Sequence, residues 1–83
     1  MYYVYIIQSL NFPDQIYTGY TSNLKERLNT HNYGLSAHTQ KYAPWKLVMF
    51  LAFDDKHKAM NFEKYLKSSS GRAFKNKRFL SNT

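Results

Sequence analysis

Apolar positions in this chain come in short runs whose period changes along its length. Residues 2–8 read YYVYIIQ, a brief stretch rich in tyrosine, valine and isoleucine, which predicts a strand. Asn11-Phe12-Pro13-Asp14 is turn chemistry: proline sets one backbone angle and Asp14 can bond its own backbone. Ile16 to Tyr20 reads as a second short strand, so the two runs form an antiparallel hairpin. The pattern then turns helical. Thr21, Ser22 and Asn23 offer N-caps, and Asn23 followed by Glu26 approximates a capping box. Leu24 and Leu28 carry a helical period to about Asn32, with Gly34 as the stop.

Residues 35–44 are polar, end near Pro44 and read as a loop. Trp45 to Phe53 is β-branched and aromatic enough for a third strand. Asp54 or Asp55 caps a second helix through about Lys67, Ser68-Ser69-Ser70-Gly71 breaks it, and Arg72 to Leu80 forms a third. The expected order is strand, strand, helix, strand, helix, helix. That is an α+β layout with a small three-stranded antiparallel sheet flanked by helices, in a single domain over residues 1–83.

Three polar residues interrupt this pattern. Helical side chains advance by about 100° per residue, so His31 falls about 20° from Leu24 and Arg27 lies on the edge of the same stripe. Both are expected to face inward or toward the sheet margin, where a charge is costly unless paired or used. In the second helix Ala59, Phe62 and Leu66 mark the apolar stripe, and Glu63 adjoins it, about 40° from Ala59. A glutamate there is paired, protonated or bound to a cation. A single oxygen ligand with open water positions suits Mg²⁺. On the hairpin, odd-with-odd pairing puts Tyr5 beside Tyr17 on one face. Gly19 weakens its strand and marks a close approach of backbone or ligand.

Composition narrows the partners. The chain has 83 residues, and a domain of that size has a thin core and room for a shallow surface site rather than a deep cavity. Twelve lysines and arginines against five acids give a formal charge of +7, a strong field for so small a body, which favours a polyanion. Cysteine is absent, which excludes disulfides and thiolate-bound zinc. His31, His38 and His57 lack paired metal-ligand spacing. The apolar start lacks a basic leader and a cleavage site, and no apolar run is long enough to cross a bilayer. A cytoplasmic protein without a membrane partner is the expectation.

Taken in order, these residues resemble the GIY-YIG nuclease family, in particular its short standalone branch related to the catalytic domain of the repair excinuclease incision subunit. Its two strand triads stand here as Tyr3-Val4-Tyr5 and Tyr17-Thr18-Gly19. Arg27 and His31 stand at the helix arginine and the residue one turn later, and Glu63 stands at the later glutamate. The likeness spans essentially the whole chain. It implies a metal-dependent endonuclease cutting DNA phosphodiester bonds in line, with one Mg²⁺ or Mn²⁺ held by Glu63. In that reading Arg27 stabilises transition-state charge, Tyr17 activates or positions water, and Tyr5 and His31 orient water or share a proton. Tyr3, Val4, Thr18 and Gly19 complete the structural motif. Lys41, Lys67, Arg72, Lys75, Lys77 and Arg78 hold the nucleic-acid backbone. The substrate is DNA, branched or otherwise structured, with RNA left open. The molecule is expected as a monomer or weak dimer that takes its targeting from DNA shape, from the dimer or from a partner. Three positions depart from the family pattern: Tyr3 for glycine, Gln40 for a basic residue after Thr39, and Phe62 for arginine. They leave a binding module of the same fold as the competing reading, and a protein-interaction domain as the third.

Overall fold

The structure, a computed structural model, describes residues 1–80. Three strands, β1 (Tyr2–Ser9), β2 (Ile16–Thr21) and β3 (Trp45–Phe53), form one antiparallel sheet in the order β2-β1-β3. Three helices accompany them: α1 (Leu24–Asn32), α2 (Lys56–Leu66) and α3 (Ser69–Arg78). The element order and α+β layout follow the expectation. The loop before β3 adds a single 3-10 turn, Gln40–Tyr42, and a cis Ala43–Pro44 peptide.

β1 is central because both of its faces are apolar. Val4, Tyr5, Ile6 and Ile7 are each no more than 1% exposed. Val4 and Ile6 face α2 and α3, packing with Ala59, Leu66, Phe62 and Phe79. Tyr5 and Ile7 face the other way, joined by Trp45, Tyr17, Leu24, Leu28 and Tyr42. The sheet thus has helices on both sides, each cluster drawing its strand residues from one parity of the pleat. β1 and β2 pair odd with odd, Tyr3 opposite Thr21, Tyr5 opposite Gly19 and Ile7 opposite Tyr17. On the other side a bulge between Ile6 and Ile7 leaves Val48 without a partner and re-aims the rest of β3. β3 is an edge whose Leu47, Phe50 and Leu51 remain exposed. No helix among the described residues is long and apolar enough to cross a membrane.

The helix starts obey the capping rules, with one correction. Asn23 accepts from the Glu26 backbone N–H and Asp55 from that of Lys58. The Asn23 box closes side chain to side chain, Nδ2 donating to Glu26 Oε2 at 3.2 Å, because Thr21 Oγ1 already takes the Asn23 N–H. Gly34 follows α1 at φ +70°. The serine run, expected as a break, instead starts α3. Ser68 Oγ donates to Tyr65 O at 2.6 Å and accepts from Gly71 N–H at 3.2 Å, so α3 begins at Ser69, three residues before the expected Arg72. A Cβ at Gly71 would run into the Tyr65 carbonyl, so only glycine lets α3 fold back this tightly on the end of α2.

Candidate active site

The site grows from the hairpin register. Tyr5 stands opposite Gly19, and its ring lies over the glycine: a Cβ at position 19 would collide with the Tyr5 hydroxyl and stand 2.9 Å from Tyr17 Cε2. The glycine is a close-approach residue, as its place in a strand suggested. Tyr17 sits diagonally from Tyr5 on the same face, ring centroids 6.3 Å apart. α1 brings His31 down between them, 5.0 Å from the Tyr17 ring and 5.8 Å from the Tyr5 ring. His31 Nε2 and Tyr5 OH are hydrogen-bonded at 2.8 Å, and His31 Nδ1 meets Thr39 Oγ1 at 2.7 Å.

Electrostatics tie in the remaining two residues. Burial pushes the Tyr5 phenol well above the usual tyrosine value; the charges of Tyr17 and Glu63 add to this and Arg27 opposes it. Burial also lowers the His31 pKa, and the Arg27 charge lowers it further. Tyr5 therefore senses Tyr17 from β2, Arg27 from α1 and Glu63 from α2, three stretches far apart in sequence. Tyr5 is a neutral phenol and His31 a neutral imidazole at neutral pH.

Arg27 itself corrects an expectation. It is exposed, not inward-facing. The seam of α1 is three residues wide, Leu24, Leu28 and His31, and Arg27 lies about 40° beyond His31 on the helix, past the sheet's cover. It lines an open polar hollow of ≈ 460 Å³ with Thr21, Ser22, Asn23, Glu26 and Thr30, and has no ion-pair partner among the described residues. Glu63 is half-buried, at the margin of the α2 seam rather than within it. Its side chain keeps 24% of its exposure and pairs with Lys67 Nζ at 3.2 Å, one turn on.

Beside Tyr17, residues from three elements close a pocket of ≈ 280 Å³: Ile16, Tyr17 and Thr18 from β2, Lys67 after α2, and Arg72 and Lys75 from α3. Lys75 Nζ donates to Thr18 Oγ1 at 3.2 Å across 57 residues of chain. Burial and the neighbouring Arg72 and Lys67 charges lower the Lys75 pKa. Three like charges, one of them paired with Glu63, form an anion-seeking surface. Lys41, Lys77 and Arg78 stand apart from it. All three are exposed, Lys41 lying 5.7 Å over the Tyr42 ring.

A family model described as the GIY-YIG catalytic domain matches residues 1–78. The chain belongs to the GIY-YIG family. Among its relatives, a UPF0213 protein of Clostridium perfringens is 41% identical over 68 residues, covering 81% of this chain and 71% of the relative. A UPF0213 protein of Streptococcus agalactiae is 39% identical over 72 residues, covering 86% and 80%. The solution NMR structure of a UPF0213 protein from Bacillus halodurans aligns over the full length of both chains with a TM-score of 0.51 and 30% identity.

The departures from the GIY-YIG pattern have local explanations. Tyr3 packs edge-on against Phe50, centroids 6.1 Å apart, so the position that is usually glycine serves packing. Phe62 joins the core and meets Phe53 at 5.6 Å, which replaces a charge with apolar contact. Gln40 is exposed in the 3-10 turn. Val4 is fully buried on the opposite face from Tyr5, and Thr18 serves as the Lys75 acceptor. Two participants escaped the sequence reading of the GIY-YIG site: Thr39 as the His31 partner, and Trp45, whose indole N–H donates to Thr39 O at 2.9 Å. The loop carrying Thr39 has no periodicity, so no local signal pointed to either contact.

Among the described residues no three His, Cys, Asp or Glu side chains cluster as a metal cage. One partly open carboxylate, Glu63, suits a hard ion that keeps most of its water, Mg²⁺ or Mn²⁺, and not a structural zinc.

Proposed function

We propose that this GIY-YIG domain is a divalent-metal-dependent endonuclease that hydrolyses phosphodiester bonds in DNA. The observation that carries the reading is the convergence on Tyr5: Tyr17 and His31 against its ring, with the charges of Arg27 and Glu63 acting at its hydroxyl.

In this reading the scissile phosphate lies between the Arg27 hollow and the cation-lined pocket. Glu63 would hold one divalent ion, which supplies Lewis-acid neutralisation of the phosphate and of the departing 3′ oxygen. Arg27, open and without an ion-pair partner, donates directional hydrogen bonds to oxygens that gain charge as water attacks in line. Tyr17 lies on the edge strand, where its hydroxyl positions the attacking water and takes part in removing its proton. Tyr5 is held protonated by burial and therefore donates a hydrogen bond rather than accepting a proton. Lys67, Arg72 and Lys75 grip an adjoining phosphate, while Lys41, Lys77 and Arg78 add to the longer-range field. Lys67 occupies only Oε2 of Glu63, and a substrate phosphate would give that ammonium a second partner.

The test is a cleavage assay on nicked, duplex, single-stranded and branched DNA with Mg²⁺ or Mn²⁺ and with a chelator. Wild type cuts at least one of them only with metal. Glu63→Gln lowers turnover by about a thousandfold or more while DNA binding stays within about threefold. Cleavage that persists equally in Glu63→Gln, or binding with no cleavage under either metal, sinks the proposal.

A further inference from the structure

Tyr5, His31 and Thr39 form a buried chain of two hydrogen bonds, 2.8 Å at His31 Nε2 and 2.7 Å at His31 Nδ1, and each residue is only 1% exposed. His31 is neutral, so the chain contains three hydrogens: one on each hydroxyl and one on the ring. Two bonds can place only two of them. One hydrogen is left over, at whichever end the ring proton does not face away from.

The two ends are unequal. If the ring proton sat on Nδ1, the spare hydrogen would be that of Thr39. That hydroxyl lies in a sealed loop whose carbonyl already takes the Trp45 indole N–H at 2.9 Å, and it has no second hydrogen-bond partner among the described residues. An unpaired donor there carries its full desolvation penalty. If the ring proton sits on Nε2, the spare hydrogen is that of Tyr5. The Tyr5 hydroxyl lies over Gly19, beside Tyr17, where the Arg27 and Glu63 charges meet. Tyr5 is as buried as Thr39, but its hydroxyl sits beside the half-buried Tyr17 on the side where substrate arrives, so a phosphate oxygen of bound substrate can accept it.

We propose that Thr39 is a positioning residue: its hydroxyl donates to His31 Nδ1, holds the imidazole as the Nε2–H tautomer, and thereby turns the Tyr5 hydroxyl proton toward a phosphate oxygen of the substrate. His31 is then a donor to Tyr5 and not a base for it. The consequence for catalysis rests on the nuclease reading; the tautomer itself does not.

The test uses the full chain labelled with ¹⁵N-histidine, with long-range proton–nitrogen spectra assigned through His31→Gln. Wild type shows a bare Nδ1 and a protonated Nε2. Thr39→Val, which removes only the hydroxyl's bonding, moves the proton to Nδ1 in part or all of the molecules, and Thr39→Ser restores it. In the cleavage assay Thr39→Val lowers kcat by about 10–100-fold with KM unchanged, the scale of losing a histidine's orienting partner. A wild-type proton on Nδ1 overturns the proposal. So does a Thr39→Val ring that keeps Nε2–H, or a shifted tautomer with unchanged kcat. Should Thr39→Val fail to fold, the wild-type spectrum and the Thr39→Ser variant decide. A protein that never cleaves yet shows the Nε2–H form sinks the nuclease reading alone.

Discussion

Tyr5 can lie across the backbone of the neighbouring strand because position 19 carries no Cβ. That close approach sets its hydroxyl within 2.8 Å of His31 Nε2, and both residues lose nearly all contact with water. Burial then fixes their protonation. His31 titrates below its ordinary 6.5 in the folded chain. Between the lowered value and 6.5 the unfolded chain binds more protons than the folded one, so acid favours unfolding in that window. The stability His31 contributes is complete above about 6.5 and is lost as the pH falls toward its folded value. Urea unfolding is expected to show ΔG falling between about pH 7.5 and 5.5, and falling less in His31→Gln. A pH slope identical in the two proteins would mean that other groups dominate. At this scale Tyr5, Tyr17, Gly19 and His31 were legible as pattern breaks. Arg27 was misjudged because a helical angle says which side a residue is on, not how far the neighbouring layer extends.

Elements were legible where short-range chemistry sets them. Proline and asparagine turns, side-chain caps and apolar periods act over a few residues, so the strands and α1 end within a residue of the expected bounds. α3 was misplaced because serine and glycine read as breakers, whereas Ser68 is a cap that also bonds the last turn of α2. Ser68→Ala removes both bonds. Its expected cost is about 1 kcal/mol in urea unfolding, the size of a lost N-cap. It also loosens the turn that sets Arg72 beside Lys67, so DNA affinity should fall with stability. Unchanged stability would show that Gly71 and the apolar contacts alone hold the α2–α3 corner.

At the scale of the molecule, a thin sheet with helices on both faces leaves the β2 edge as the place where α1, α2 and α3 all contribute side chains. The net charge of +7 is not spread evenly: Lys67, Arg72 and Lys75 crowd one pocket there. On the proposed reading, DNA held at that pocket gives up condensed counterions. In the presence of chelator, DNA affinity is expected to fall steeply with salt. Arg72→Ala or Lys75→Ala should each reduce the slope of log K against log salt by about one, uniformly across DNA sequences. An unchanged slope would remove that residue from the phosphate contacts. Lys77→Ala, on an exposed face away from the pocket, should change it less.

Read alone, the chain specified its strands and helices, their order, most of their caps, the apolar faces and the excess of positive charge, since each depends on neighbours a few positions away. The two-triad pattern with Arg27, His31 and Glu63 carried the family as well. Packing settled the rest: the Tyr5–His31–Thr39 chain, the Lys75–Thr18 contact, the openness of Arg27 and the pairing of Glu63 with Lys67. Most of these join segments separated by a turn of unpredictable path, and burial and charge at each atom follow from which layers meet, a property that no short stretch of sequence contains.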